Sequence, residues 1–110
     1  EAEPPIPEIS ATELKDRLDS GHKLVLVDVR EQFEWDIARI PGSILIPLGE
    51  LSSRMSELDS SDEMVFICKL GPRSGMAVRE LQKAGFTKTF NLAGGIRDWS
   101  EKVDPTVPKY

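Results

Sequence analysis

Met64-Val65-Phe66-Ile67-Cys68, followed by Lys69-Leu70-Gly71-Pro72-Arg73-Ser74, is the stretch that decides the fold. An unbroken apolar run ends at the only cysteine of the chain, passes through a short loop with Gly and Pro, and continues as a helical pattern. Ala77, Leu81 and Ala84 form the inward face of that helix over residues 73–84, and Gly85 stops it. A continuous apolar strand is expected where a sheet is covered on both faces, as parallel sheets are. The strand therefore delivers one thiol into a loop that opens a helix.

The same alternation extends in both directions. Upstream, Ser10 and Glu13 have capping-box spacing, Leu14 and Leu18 share a helix face, and Ser20-Gly21 closes it. Residues 23–29 form a second buried strand, with Asp28 and Arg30 at its carboxyl end. A short helix is expected over 31–37, a turn at Ile40-Pro41-Gly42, a strand over 43–46 ended by Pro47, and a helix over 48–58 carrying Leu51, Met55 and Leu58. Downstream, residues 88–92 form a strand, and Ala93-Gly94-Gly95 turns into a last helix through Ile96, Trp99 and Val103. Strands alternating with helices at this spacing predict an α/β fold: a central, mainly parallel sheet flanked by helices on both faces. Ligands in such sheets bind beyond the carboxyl ends of the strands, where Asp28, Arg30 and Cys68 fall.

The chain of 110 residues, 39% of them apolar, fits one core and one domain, read as 9–104. Glu1-Ala2-Glu3-Pro4-Pro5-Ile6-Pro7 reads as an extended, proline-rich linker over 1–8, and Asp104-Pro105 begins a proline-broken tail, 105–110, expected over the surface. A net charge of -5 and a pI near 4.9 exclude electrostatic binding to nucleic acid or anionic membrane, so an anionic substrate must be drawn locally. One cysteine excludes an internal disulfide, and no apolar stretch spans a bilayer, which leaves the cytoplasm as the expected location.

A thiol at a strand end, with a helix N-terminus just beyond, meets backbone N–H groups and a positive dipole end, so Cys68 is expected to be ionised and nucleophilic. The plainer alternative is a small buried hydrophobe. His22 is expected in solvent and Trp35 and Trp99 in packing, Gly94-Gly95 lacks the third glycine of a dinucleotide fingerprint, and one Cys with one distant His offers no metal-ligand spacing. Neither metal nor cofactor is called for.

Asp28-Val29-Arg30, Ile40-Pro41-Gly42-Ser43, the Cys68 to Ser74 loop and Leu92-Ala93-Gly94-Gly95-Ile96 before Trp99, in this order and spacing, resemble a rhodanese-like domain from about Ile9 to Val103. Arg39-Ile40-Pro41-Gly42 and the proline-rich ending with its tyrosine are similar to the C-terminal domain of adenylyltransferase/sulfurtransferases. Residues 36–39 depart from the Gly-His that commonly precedes the Ile-Pro-Gly turn. The resemblance implies a sulfurtransferase that carries sulfane sulfur as a persulfide on Cys68. Its donor is thiosulfate or a cysteine desulfurase persulfide, and its acceptor a ubiquitin-like sulfur carrier for molybdopterin or a related cofactor. An E1-like adenylating domain, tethered through the 1–8 segment, would activate that carrier.

For this chemistry, the backbone N–H groups of Lys69, Leu70, Gly71, Arg73 and Ser74 are expected to cradle the sulfur, with Gly71 supplying the torsions. Pro72 has no N–H to give and fits the first helical turn. Lys69 and Arg73 add positive charge beside the thiolate, Arg73 chiefly as a structural residue, while Asp28 and Arg30 orient the loop. Three alternatives compete: a free-standing thiosulfate:cyanide sulfurtransferase, a phosphatase-like or arsenate-reducing enzyme, and a noncatalytic docking module. The four residues between Cys68 and Arg73 make a loop one residue short of the phosphatase type, and a buried, inert Cys68 would favour docking.

Overall fold

A computed structural model of the chain describes residues 3–110, so the first two residues of the expected linker lie outside the described residues. Five strands, β1 (Glu8–Ile9), β2 (Val25–Asp28), β3 (Ile44–Leu45), β4 (Met64–Ile67) and β5 (Thr89–Leu92), form one sheet in the order β1-β5-β4-β2-β3. Every pairing is parallel. The helices are α1 (Ala11–Asp19), α2 (Gln32–Ile37), α3 (Leu51–Arg54), α4 (Pro72–Lys83) and α5 (Gly95–Lys102).

The side-chain period of two sorts β4 between two cores. Val65 and Ile67 join Leu14 of α1 and Ile96 and Trp99 of α5 on one face. Met64, Phe66 and Cys68 join Leu51 of α3 and Ala77, Val78 and Leu81 of α4 on the other. Helices therefore cover both faces, as the apolar run predicts, and all four residues of β4 are buried. Cys68 continues the Met64 and Phe66 side, which points its sulfur toward α4.

Local differences have local causes. Ser10 caps α1 by accepting the Glu13 N–H at 3.1 Å, but the Glu13 carboxylate turns to Arg17 at 2.8 Å, so only half of the capping box forms. The helix expected over 48–58 breaks into a 3-10 turn at Leu48–Glu50, the single turn of α3 and a 3-10 turn at Met55–Glu57. Gly49 and three serines favour helix weakly, and the Ser53 hydroxyl competes for the Glu50 carbonyl at 3.0 Å. Glu8, read as the end of the linker, lies in β1 opposite Asn91. Two residues show no period, and their partner strand stands far along the chain. The tail also holds to the fold: Val107 is buried in the α1/α5 core, and its carbonyl accepts the Ser100 hydroxyl.

His22 is exposed and meets Glu63 at 2.7 Å. Trp99 is a core residue, and Trp35 lies half-buried with the Arg39 guanidinium 4.9 Å from its ring centre. Among the described residues no helix is long and apolar enough to cross a membrane.

Phe66 is fully buried at the centre of the sheet. Phe66→Ala should reduce stability by about 3–5 kcal/mol, read as a lower urea midpoint with an unchanged slope. A loss below about 1 kcal/mol would mean that α3 and α4 collapse into the space.

Candidate active site

Cys68 is the first residue beyond β4, and the loop after it has its backbone polarity sorted. The Cys68 carbonyl accepts the Ile96 N–H at 2.8 Å and the Lys69 carbonyl accepts the Arg97 N–H at 3.2 Å, both from the first turn of α5. Those carbonyls are thereby turned away from the sulfur. The approach is close: a Cβ on Gly95, whose φ is +62°, would lie 2.3 Å from the Lys69 oxygen. Gly94-Gly95 thus lets α5 dock on the loop, a role unrelated to a nucleotide.

With its carbonyls engaged, the loop presents donors. Gly71 precedes α4 with φ at +121°, in the region that favours glycine, and its N–H points to Cys68 Sγ at 3.0 Å. Ser74 Oγ lies 3.2 Å from the same sulfur, 3.1 Å from the Gly71 carbonyl and in contact with Asn91 Oδ1. One hydroxyl proton serves one of these acceptors at a time. It donates to an ionised sulfur, whereas a neutral thiol can itself donate to the Ser74 oxygen. Asn91 Nδ2 reaches the Gly71 carbonyl and Glu8 Oε2, each at 3.1 Å, which fixes the amide that faces Ser74.

The cradle is narrower than expected. Gly71 contributes its N–H, Ser74 contributes a hydroxyl rather than its backbone, and Pro72 takes the first position of α4. Leu70 projects outward at 56% exposure, and Lys69 holds its ammonium 4.7 Å from the ring centre of Tyr110. Cys68 itself is 1% exposed, so its thiol lies beneath the surface.

Both arginines are engaged by carboxylates. Arg73 makes a bidentate pair with Glu34 at 2.6 and 2.9 Å, so its charge is largely neutralised before it reaches the sulfur. Arg30, fully buried, binds Asp28 through Nε and Nη2, the latter at 2.7 Å. It also donates to the carbonyls of Glu34 and Ala38 and, at 2.8 Å, to the Tyr110 hydroxyl. The Tyr110 hydroxyl in turn donates a hydrogen bond to Glu34 Oε2 at 2.6 Å. A chain of hydrogen bonds therefore runs from Asp28 and Arg30 through Tyr110 and Glu34 to Arg73, with no direct bond from Asp28 or Arg30 to the loop among the described residues. Hydrogen bonding from Arg73 overcomes burial and, with Tyr110, holds the Glu34 carboxyl down at about 2. Burial and the Glu34 carboxylate both push the Tyr110 hydroxyl up.

Glu34, Asn91, Glu8 and Tyr110 were not legible as site residues. Only Glu34 left a trace, in its three-residue spacing from the helix cap at Glu31, whose N–H it accepts at 3.1 Å. Among the described residues no group of three or more His, Cys, Asp or Glu side chains could hold a metal ion.

A carboxyl that titrates at about 2 when folded and near 4.5 when free contributes stability above about pH 4.5 and loses it as pH falls toward 2. Glu34→Gln should therefore flatten the decline of stability between those values relative to the parent protein, as followed by urea melts at stepped pH. Parallel curves would show that Glu34 is not the group responsible.

Comparison with known proteins gives the same picture from outside. The family model described as "Rhodanese-like domain" matches residues 10–102. A Bacillus subtilis (strain 168) protein named as a sulfur carrier, YrkF, is 46% identical over 90% of this chain and 54% of its own length. The Mycobacterium tuberculosis (strain CDC 1551 / Oshkosh) protein named as an adenylyltransferase/sulfurtransferase, MoeZ, is 41% identical over 93% of this chain and 26% of its own length. The chain thus spans about half of one relative and about a quarter of the other. The structure of the human single-domain sulfurtransferase TSTD1 superposes with a TM-score of 0.77 at 33% identity, over 89% of this chain and 98% of that one. With a parallel sheet that presents one cysteine to a glycine-turned loop, and with these matches along nearly its whole length, the chain belongs to the rhodanese-like domain family.

Proposed function

We propose that this domain is a sulfurtransferase that carries sulfane sulfur on Cys68 and hands it to a ubiquitin-like sulfur carrier. The observation that carries this reading is the pair of donors, Gly71 N–H and Ser74 Oγ, on one sulfur at the carboxyl end of the central strand. Donors held in a water-poor site stabilise a sulfur anion at both stages, first the thiolate and then the persulfide. In loading from thiosulfate, Cys68 Sγ attacks the outer sulfur, the sulfur–sulfur bond of the donor breaks, and sulfite leaves with the electron pair. In delivery, the terminal sulfur attacks the activated acyl end of the carrier and expels the activating phosphate group. Two equivalents of an external thiol then cleave the resulting acyl disulfide: the first releases the carrier thiocarboxylate and forms a mixed disulfide with Cys68, and the second frees Cys68 and leaves as the oxidised disulfide.

A protein acceptor is favoured by the space beside the loop. A groove of about 750 Å³ is lined by Leu70, Gly71, Gly75, Met76, Asn91 and Gly94, among others. Its glycine floor admits a peptide backbone, and its exposed Leu70 and Met76 give an extended segment apolar contact. Thiosulfate alone would fill little of it. The relatives named as a sulfur carrier and as an adenylyltransferase/sulfurtransferase support the same kind of partner. The 1% exposure of Cys68 favours a second reading, a docking module without chemistry, because a donor must displace the loop to reach the sulfur.

Mass spectrometry after incubation with thiosulfate separates the two readings: transfer predicts a one-sulfur adduct on Cys68, docking none. Cys68→Ser should keep the fold, lose the adduct, and yield no carrier thiocarboxylate when carrier, adenylating domain and donor are supplied. Thiocarboxylate formed equally well by the serine variant would exclude Cys68 as the sulfur carrier. Ser74→Ala removes one of the two donors and should slow adduct formation about tenfold to a hundredfold, the equivalent of about 1.5–3 kcal/mol for a hydrogen bond to an anion. An unchanged rate would assign the anion to Gly71 alone.

A further inference from the structure

Beside the Cys68 loop, Lys69 and Lys109 line one small pocket with Tyr110, and neither forms an ion pair among the described residues. Arg30 is paired with Asp28 and Arg73 with Glu34, whereas Lys69, the residue next to the cysteine, has no carboxylate within 4.0 Å among the described residues. Its Nζ stands 4.7 Å from the centre of the Tyr110 ring, and the Arg30 guanidinium stands 5.5 Å from the same centre. That ring is held firmly. The Tyr110 hydroxyl donates to Glu34 and accepts from Arg30, and the segment before it is anchored by Val107, which is 5% exposed.

A carboxylate would also hold a lysine in place, but it would cancel the charge. A neutral aromatic face attracts the ammonium through its quadrupole and leaves both the charge and the N–H groups free. On a chain of net charge -5, such an unpaired cation adds to the local attraction for an anion, where Arg73 is already paired with Glu34. We propose that Tyr110 is a positioning residue: its ring holds the Lys69 ammonium, un-neutralised, beside the Cys68 loop, where that ammonium attracts the anionic sulfur donor. The role of the donor rests on the sulfurtransferase reading, while the placement of Lys69 does not. The tail segment that reads from sequence as a surface trailer thus completes the site.

The test compares alkylation of Cys68 by iodoacetate, an anion, with alkylation by iodoacetamide, its neutral analogue of nearly equal size. Burial of the thiol and loop opening affect both reagents alike, so their rate ratio reports local charge. Lys69→Ala should lower the ratio about threefold to tenfold, within the range by which charge steers small ions, and raised salt should lower it in the parent protein. Tyr110→Leu should lower it by a similar factor, and the double variant no further, because both changes remove the same placed cation. Tyr110→Phe keeps the ring and should keep most of the ratio, although it loses the bonds to Glu34 and Arg30. A purely structural tyrosine would alter both rates in parallel. An unchanged ratio in Tyr110→Leu, full additivity in the double variant, or a Phe variant equal to the Leu variant would each overturn the proposal. These rates require no sulfur transfer, so absence of a thiosulfate adduct on the parent protein would overturn the transfer reading and leave the placement of Lys69 to be judged by the ratio.

Discussion

A guanidinium with no exposure to solvent organises this end of the molecule. Arg30 has left water entirely, and a buried charge persists only where its donors are satisfied and its charge is balanced. Asp28 balances it from the end of β2, and the carbonyls of Glu34 and Ala38 and the Tyr110 hydroxyl take remaining donors. One side chain thereby ties a strand end, the short helix α2 and the C-terminal segment. Burial depresses the charged state, but Asp28 and Tyr110 more than offset it, so Arg30 stays firmly protonated. Tyr110 and Glu34 continue the network to Arg73 in the first turn of α4.

The sulfur site depends on a second constraint, the direction of the peptide groups after Cys68. The N-terminal turn of α5 binds two loop carbonyls, so its dipole is spent on the backbone rather than on a ligand. The sulfur instead takes the N–H of Gly71 and the hydroxyl of Ser74. Gly95 permits the close contact because it has no Cβ, and Gly71 permits the turn through a positive φ. A larger residue at 95 would push α5 off the loop and free the very carbonyls that α5 now binds.

Charge is arranged with similar economy. The protein is acidic, the two arginines near the site are neutralised, and Lys69 rests on an aromatic face. The groove beside the loop is lined by Ile6, Leu70, Met76 and glycines together with Arg79, Glu80 and Lys83. On the proposed reading, such a site would attract a small anion through the placed Lys69 and accommodate a larger acceptor through shape.

The order of strands and helices was legible because it follows from local rules: apolar runs of strand length, caps, glycine stops and the period of α4. The place of Cys68, Gly71 and Pro72 at a strand-to-helix junction was legible for the same reason. The two-residue β1 was not, since its hydrogen bonds belong to β5, and the 48–58 helix was over-read because an apolar spacing says nothing of backbone competition from serine. In the site, a lysine and an arginine beside a cysteine read as two charges on the sulfur. Whether a charge is free depends on its partner, and Glu34 and Tyr110 stand 39 and 76–80 residues away from the groups they bind. The sequence by itself determined the strands β2 to β5, the cysteine's position and the glycines of the loop, because torsion and hydrophobic period are properties of neighbours along the chain. Only the tertiary structure decided the covering of Cys68, the pairing of Arg73 and the aromatic seat of Lys69, because electrostatics and burial are set by distance in space.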